Sequence, residues 1–375
     1  MMKQLLMICM TLLMVLGFPL GTCAYAADGV TEIALNWPNK SQIPEQLHGS
    51  THELTFKHDG GNYIWVTGQN YDELAKVDLD GHVQYFEMPS GSRPHGIEFD
   101  AEDRLWVSLE FDGLVAHVDD DGTIIDMVDV RLYAEGAKEP INTHPHGLGL
   151  GADGQTLWFT GKKTNTVGKI SFSDDGSPTV EHFELPTVGA VPIYLATGPD
   201  GNIWCTELVG NQIARITPDG KVTEFSIPTH NSRPIAIVQA PQGMGDFMWF
   251  SEEAGNKVGR IDMDGHITEF PVPFPEKNII LAGMAFDDEG NLWTQSYVDK
   301  YDPLPEGADY IVKVDKAIHT APQSESEGSL AEIPITYYPV PSRHTIMHRI
   351  IQGPDRNMWF TELGTDQLGQ LVLHK

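Results

Sequence analysis

Cysteine is almost absent: the 375 residues include three, Cys9, Cys23 and Cys205. Cys9 and Cys23 fall inside Met1–Ala26, which is built like a cleavable secretory signal. It has a basic start at Lys3, an apolar middle from Leu5 to Leu20 and the small-x-small site Ala24-Tyr25-Ala26. Leu20-Gly21-Thr22-Cys23 leaves a lipid-anchored start as the alternative. Cleavage after Ala26 leaves Cys205 alone, which excludes an internal disulfide. Beside Trp204, Cys205 reads as a small buried apolar residue. The expected location is secreted or periplasmic. No apolar run is long enough for a clear membrane span, since Leu5–Leu20 is short for one. Basic residues are scarce: 24 Lys and Arg face 53 Asp and Glu, a formal charge of −29. Loss of Lys3 makes the mature value −29 − 1 = −30. That balance excludes nucleic acid and anionic membranes as natural partners, and it suits a soluble chain, cationic ligands or metal ions. Several catalytic signatures are missing too. There is no Gly-x-Ser-x-Gly elbow, no His-Glu-x-x-His pair and no phosphate-binding Gly-rich loop ending in Lys-Ser/Thr.

What is present is repetition. Trp65, Trp106, Trp158, Trp204, Trp249, Trp293 and Trp359 recur at intervals of 41, 52, 46, 45, 44 and 66 residues. Each sits in a short apolar run such as Asn202-Ile203-Trp204-Cys205-Thr206-Glu207. Between Val191 and Pro228 the chain reads as four short strands parted by turn residues, with Asp219-Gly220 as a hairpin turn. Four antiparallel strands per repeat predict one blade each, and so an all-β, seven-bladed β-propeller filling residues 27–375. The seventh repeat runs out after a third strand, Gln367–Val372. The stretch Val30-Thr31-Glu32-Ile33 resembles the fourth strands of other repeats, notably Val222-Thr223-Glu224-Phe225. The last blade is therefore expected to be closed by the N-terminal strand, which removes two open sheet edges. Tyr301–Pro334 is an insertion in blade six, and its polar tract Ser324–Ser329 favours disorder.

Aligning the repeats on their tryptophans puts His52, His95, His146, Ile193, Ile235, Gly283 and His348 at one position near the start of each first strand. Blades seven, one, two and three are neighbours in a closed ring, so four imidazoles gather at one level of the channel. Glu110, Glu207, Glu252, Glu253 and Glu362 end the second strands and share that face. Imidazoles and carboxylates around one mouth can move protons or hold a divalent ion. Glu207, Glu252 and Glu362 recur in a Trp-x-Thr/Ser-Glu phrase and read as scaffold that bonds backbone between blades, whereas Glu110 lies one residue further on.

Trp359-Phe360-Thr361-Glu362, Gly255–Ile261, Ile267–Pro273 and Ser92-Arg93-Pro94-His95-Gly96-Ile97 resemble virginiamycin B lyase, the streptogramin B-linearising family. The resemblance spans roughly the mature chain. It implies a seven-bladed propeller that opens a cyclic depsipeptide by elimination. A histidine takes the proton alpha to the ester, and a glutamate-held magnesium ion stabilises the developing charge. Carried over, two registers arise. In one, His52 contacts substrate, His95 is the base and Glu110 a metal ligand, with Arg93 where a second glutamate is expected. In the other, His95 contacts substrate and His146 is the base, with His144 and Lys162 in the two glutamate positions. The resulting expectation is general-base elimination on a cyclic ester. Its candidates are His95 and His146 as catalytic residues, His52 and His348 as substrate contacts, and Glu110 as ligand to Mg2+ or another divalent metal. The expected partner is a small-molecule or peptide-like ligand at the channel mouth of a monomer. A non-catalytic binding propeller and a lactone hydrolase-like propeller are the alternatives. The latter needs Asn, Asp and Glu in the channel, where this chain offers histidines.

Overall fold

The computed structural model describes residues 23–25, 29–57, 61–133, 135–274, 279–298 and 307–373. The signal segment expected at Met1–Ala26 lies outside them, except Cys23–Tyr25, which runs parallel to Ile335–Tyr337 on the edge of blade six. Seven sheets follow one another around the ring, each built on a meander of four strands numbered outward from the channel, with one further strand added to blade six and two to blade five. Blade one runs from Thr51 to Glu87, blade two from Pro94 to Asp129, blade three from Pro145 to Glu184 and blade four from Pro192 to Ser226. Blade five runs from Pro234 to Pro271 and blade six from Ile279 to Pro339. Blade seven combines Met347–Gln352, Met358–Glu362 and Gln367–Leu371 with Val30–Ala34. That last strand pairs antiparallel from Val30 opposite Leu371 to Ala34 opposite Gln367, which is the closure expected from the repeat. Asp366 locks it. Its buried carboxylate accepts from the Ser50 N–H at 2.7 Å, the Tyr71 hydroxyl at 2.6 Å and the Lys40 ammonium at 2.7 Å.

The apolar core is divided among the blade interfaces. Trp65 of blade one packs with Ile97, Phe99 and Val107 of blade two. Trp359 and Leu368 of blade seven pack with Leu54, Ile64 and Val66 of blade one, so the closing interface is as apolar as the others. Each tryptophan of the repeat is buried, and truncating such a side chain to alanine costs roughly 3–5 kcal/mol. The turn that precedes it supplies a partner for its indole N–H: Asp100 for Trp106, Asp200 for Trp204, Asp287 for Trp293 and Asp355 for Trp359. Blade five has Pro241-Gln242-Gly243 there, and Trp249 Nε1 is left without a partner. One residue past the tryptophan, three blades set a large side chain opposite a small one across the strands. Phe159, Phe250 and Phe360 lie opposite Gly168, Gly259 and Gly369, and Cys205 lies opposite Ala214 in the same position. Cys205 is fully buried, as its neighbours implied.

The hydroxyl two residues past the tryptophan stitches neighbouring blades. Ser108 Oγ accepts from Gly96 N–H at 2.7 Å in its own blade and donates to the His146 carbonyl of the next at 3.2 Å. Thr67 likewise accepts from Glu53 N–H at 3.0 Å and donates to the His95 carbonyl at 3.0 Å. Thr361 donates to the His52 carbonyl at 2.7 Å, and Ser251 to the Ala282 carbonyl at 2.7 Å. Buried backbone groups at the bulge of each first strand are thereby satisfied. The same bonds fix the backbone that carries the histidines. Blade six uses Gln295 instead, which accepts from Gly283 N–H at 3.0 Å and donates to the Arg349 carbonyl at 3.0 Å.

The polar tract of the blade-six insertion is ordered, contrary to its composition. Gln323–Ser324 and Glu327–Gly328 form a hairpin on the outer edge of blade five. The hairpin hangs on backbone and guanidinium bonds rather than apolar burial. Glu269 N–H donates to the Ser326 carbonyl at 2.8 Å, and Arg260 donates to the His319 carbonyl at 3.1 Å and to the Gln323 side chain. Residues 301–306 of the insertion lie outside the described ones.

Candidate functional site

The first strands carry a bulge near the channel mouth, and the residue after the last paired position before that bulge faces the channel. Thr51, Pro94, Pro145, Pro192, Pro234, Leu281 and Met347 occupy that paired position. The next residues are His52, His95, His146, Ile193, Ile235, Ala282 and His348. In blade six the equivalent is thus Ala282, one residue before the expected Gly283, because the bulge and not the tryptophan sets the register. The four histidines form a continuous row. Ring centroids are 3.5 Å apart for His95 and His146, 4.3 Å for His52 and His95, and 4.0 Å for His52 and His348.

Burial orders their chemistry. His95 is fully buried, with Nδ1 3.1 Å from the His146 carbonyl. A carbonyl can only accept, so the proton sits on Nδ1, and the buried Nε2 has no partner. His52 Nδ1 is likewise buried and unpartnered. Burial, reinforced by the neighbouring imidazoles, pushes both rings well below the usual histidine range. His146 is also lowered by burial, with Glu110 pulling the other way.

Glu110 is the electrostatic centre of the mouth. One carboxylate oxygen accepts from Gln69 Nε2 at 2.6 Å and lies 3.5 Å from His146 Nδ1. The other lies 3.5 Å from Lys162 Nζ and 3.7 Å from His144 Nδ1. Burial opposes the charged form, but the His146 imidazole at 3.5 Å, with Lys162 and His144 beside it, outweighs it and holds Glu110 down at about 2. Backbone bonds set the residue two before each histidine beside the one four past the tryptophan. Glu110 N–H donates to the Arg93 carbonyl at 3.3 Å, and Lys162 N–H to the His144 carbonyl at 3.3 Å. Arg93 and His144 both adopt left-handed backbone, with φ of 52° each. Arg93 lays its guanidinium over Phe111 at 4.3 Å.

These are the two positions where the resemblance places magnesium-binding glutamates. Blade two holds Arg93 with Glu110, and blade three holds His144 with Lys162. Magnesium requires oxygen donors in near-octahedral geometry. One carboxylate already ringed by an ammonium and two imidazoles does not fit it.

A second cluster spans the channel, and its members one residue past the histidines were absent from the sequence-based candidates. His348 Nδ1 lies 2.8 Å from Glu53 Oε1 and 2.9 Å from the Tyr194 hydroxyl, which donates to the same carboxylate. Arg349 Nε is 3.7 Å from the other oxygen of Glu53. Tyr194 reaches from blade four to blades one and seven. The position after the histidine carries Glu53, Gly96, Gly147, Tyr194, Ala236, Gly283 and Arg349. Four of the seven are small, so the three large residues stand out in the same alignment that found the histidines.

Glu207, Glu252 and Glu362 do not bond backbone between blades. All three are fully buried, with at least one carboxylate oxygen unpartnered. The bonding falls instead to the fourth-strand glutamates beside them. Glu224 accepts from Thr187 N–H at 2.8 Å, Glu269 from Thr229 N–H at 2.8 Å, and Glu32 from Ser342 N–H at 2.7 Å. Burial, then the adjacent glutamate, raises Glu207 to about 9, Glu252 to about 8 and Glu362 to about 8. They are neutral acids at pH 7.

Comparison with known proteins agrees with the ring. The sequence model of the Virginiamycin B lyase family matches residues 41–301. A virginiamycin B lyase from Nocardia farcinica is 32% identical over 183 residues, 49% of this chain and 58% of that protein, so the match spans under two thirds of the relative's length. A streptogramin B lyase structure superposes with a TM-score of 0.70 at 22% identity, covering 92% of this chain and 97% of that one. The virginiamycin B lyase of Staphylococcus aureus superposes with a TM-score of 0.68 at 26% identity, covering 92% and 99%. Among the described residues, no helix is long and apolar enough to cross a membrane.

Proposed function

The chain belongs to the virginiamycin B lyase family, and from that premise we propose that it catalyses general-base elimination on a cyclic ester or related substrate bound at the channel mouth. The observation that carries this reading is the Glu110–His146 pair at 3.5 Å, set beside Lys162. A carboxylate behind an imidazole holds its proton on the near nitrogen and leaves the far one as a base. In the proposed step His146 removes the proton next to the carbonyl. The ester carbon–oxygen bond breaks, a carbon–carbon double bond forms and a carboxylate leaves, with no water added. Lys162 places positive charge where negative charge develops. His95, stacked beneath His146 and fully buried, supports that ring and does not itself reach substrate. Export beyond the cytoplasm, suggested by Met1–Ala26, is part of the same proposal.

The test is incubation of the purified protein with a streptogramin B, with and without chelator. Ring-opened product of unchanged mass, formed in both arms, supports the proposal. Product heavier by one water indicates hydrolysis, and unaltered substrate in both arms removes the elimination reading for this substrate class. Exposed apolar side chains at the mouth, Phe111, Val188 and Val209, favour ligand binding without turnover as the second reading. Affinity without product would select it. Glu110→Gln sharpens the assignment. We expect kcat to fall about 10–100-fold and the acidic limb of the pH profile to move to lower pH, because Glu110 pulls the His146 pKa upward. An unmoved limb would detach Glu110 from the base.

A further inference from the structure

Below the mouth, His52, Glu53, His95 and His348 each offer a donor atom, and these atoms lie within 4.8 Å of one another. Three facts about this group are independent of any relative. First, His52 Nδ1 and His95 Nε2 are buried and have no hydrogen-bond partner, with the residues 8% and 0% exposed. An orphaned buried nitrogen is costly unless something fills it. Second, the partners behind the rings fix their tautomers. The His146 carbonyl holds the proton of His95 on Nδ1, and Glu53 holds Nδ1 of His348 at 2.8 Å, freeing its other nitrogen. Metal-bound histidines are oriented from behind in this way. Third, the three rings are contiguous, with His52 between His95 and His348, whose centroids are 5.9 Å apart.

We propose that the channel holds a transition-metal ion of the zinc class, ligated by the imidazoles of His52, His95 and His348, with Glu53 orienting His348 from the second layer. Three neutral nitrogens and a nearby carboxylate are a donor set for zinc, cobalt or copper and not for magnesium. Zinc–nitrogen bonds of about 2.0–2.1 Å require ligand nitrogens closer together than 4.8 Å, so binding turns the donor atoms towards a common centre. Arg349 beside Glu53 balances that carboxylate, and Tyr194 closes the far side of the channel. His95 also groups with Glu110 and His146, donor atoms within 4.8 Å, so the ion would adjoin the proposed base; its binding is read without turnover and stands or falls separately from the elimination.

The test uses full-length, untagged protein titrated with Zn2+ by calorimetry and with Co2+ by visible absorption. We expect one ion per chain, a tetrahedral Co2+ ligand-field band, and no displacement by excess Mg2+. Affinity should fall at least 100-fold in His52→Ala and His348→Ala, and about 10-fold in Glu53→Gln. His82→Ala should change nothing; it alters the surface group Asp78, Asp80 and His82. If the alanine variants do not fold, as judged by thermal melts, His52→Gln and Glu53→Gln carry the comparison. Stoichiometry unaffected by the His52 and Glu53 substitutions, loss of the ion with His82 alone, or absence of the cobalt band would overturn the proposal.

Discussion

At the scale of single residues, one repeat position differs from its copies in a way that stability measurements can read. Trp293 and Trp249 are both fully buried, but Trp293 donates to Asp287 at 2.8 Å while Trp249 donates to nothing. Both lose similar volume on replacement by phenylalanine. Trp293→Phe additionally removes a bond to a carboxylate, so urea denaturation should show it costing about 1–3 kcal/mol more than Trp249→Phe. Equal costs would mean the turn aspartates contribute nothing through the indole. The contrast was visible in the repeat, since Gly198-Pro199-Asp200 has no counterpart in Pro241-Gln242-Gly243. Its meaning needed the fold, because only the folded turn brings the aspartate under the ring.

Elements are joined by the hydroxyl beyond each tryptophan, and this separates a structural from a functional effect. Ser108→Ala leaves Gly96 N–H unsatisfied and removes one of the two donors to the His146 carbonyl, His95 Nδ1 being the other. Ser251→Ala does the same to Ala236 N–H and the Ala282 carbonyl, away from the histidine row. Each should lower stability by about 1–3 kcal/mol. Only Ser108→Ala should also depress kcat in the ester-opening assay; an equal kcat in both would argue that the stitch does not position His146. The blades, their order and the closing strand were legible in the sequence, because tryptophan spacing, turn residues and a leftover strand all repeat. The row of histidines was legible for the same reason. Glu53, Tyr194 and Arg349 were not, since they break a small-residue pattern and meet only across the channel. The scaffold reading of Glu207, Glu252 and Glu362 failed because a repeated carboxylate does not reveal whether its partner is backbone or another carboxylate.

Across the whole molecule, buried acids and imidazoles set opposite pH limits. Glu207, Glu252 and Glu362 have folded values of about 9, 8 and 8, above the ordinary 4.5. The folded state binds their protons more tightly, so their contribution is complete below pH 4.5 and is lost as pH rises through 8 to 9. His52 and His95 are depressed, and their contribution is present above 6.5 and lost as pH falls. Between pH 4.5 and 6.5 the two imidazoles offset part of the acids' loss, and above 6.5 the acids act alone, so stability should fall as pH rises from there. The triple substitution Glu207→Gln, Glu252→Gln, Glu362→Gln should flatten the alkaline decline, worth on the order of a few kcal/mol between pH 6 and 9. Parallel declines in parent and variant, by urea midpoints at the two pH values, would refute that origin. The strand Val30–Ala34 and the carboxylate of Asp366 also govern how the chain is born. Ala34 and Gln367 pair across 333 intervening steps of sequence (367 − 34). The ribosome delivers the first partner long before the second, so until then a nascent chain can stack blades but cannot fasten them. Any product ending before Thr365 keeps an unfastened hoop with two bare strand edges, an accessible mark for proteases that the finished protein does not carry.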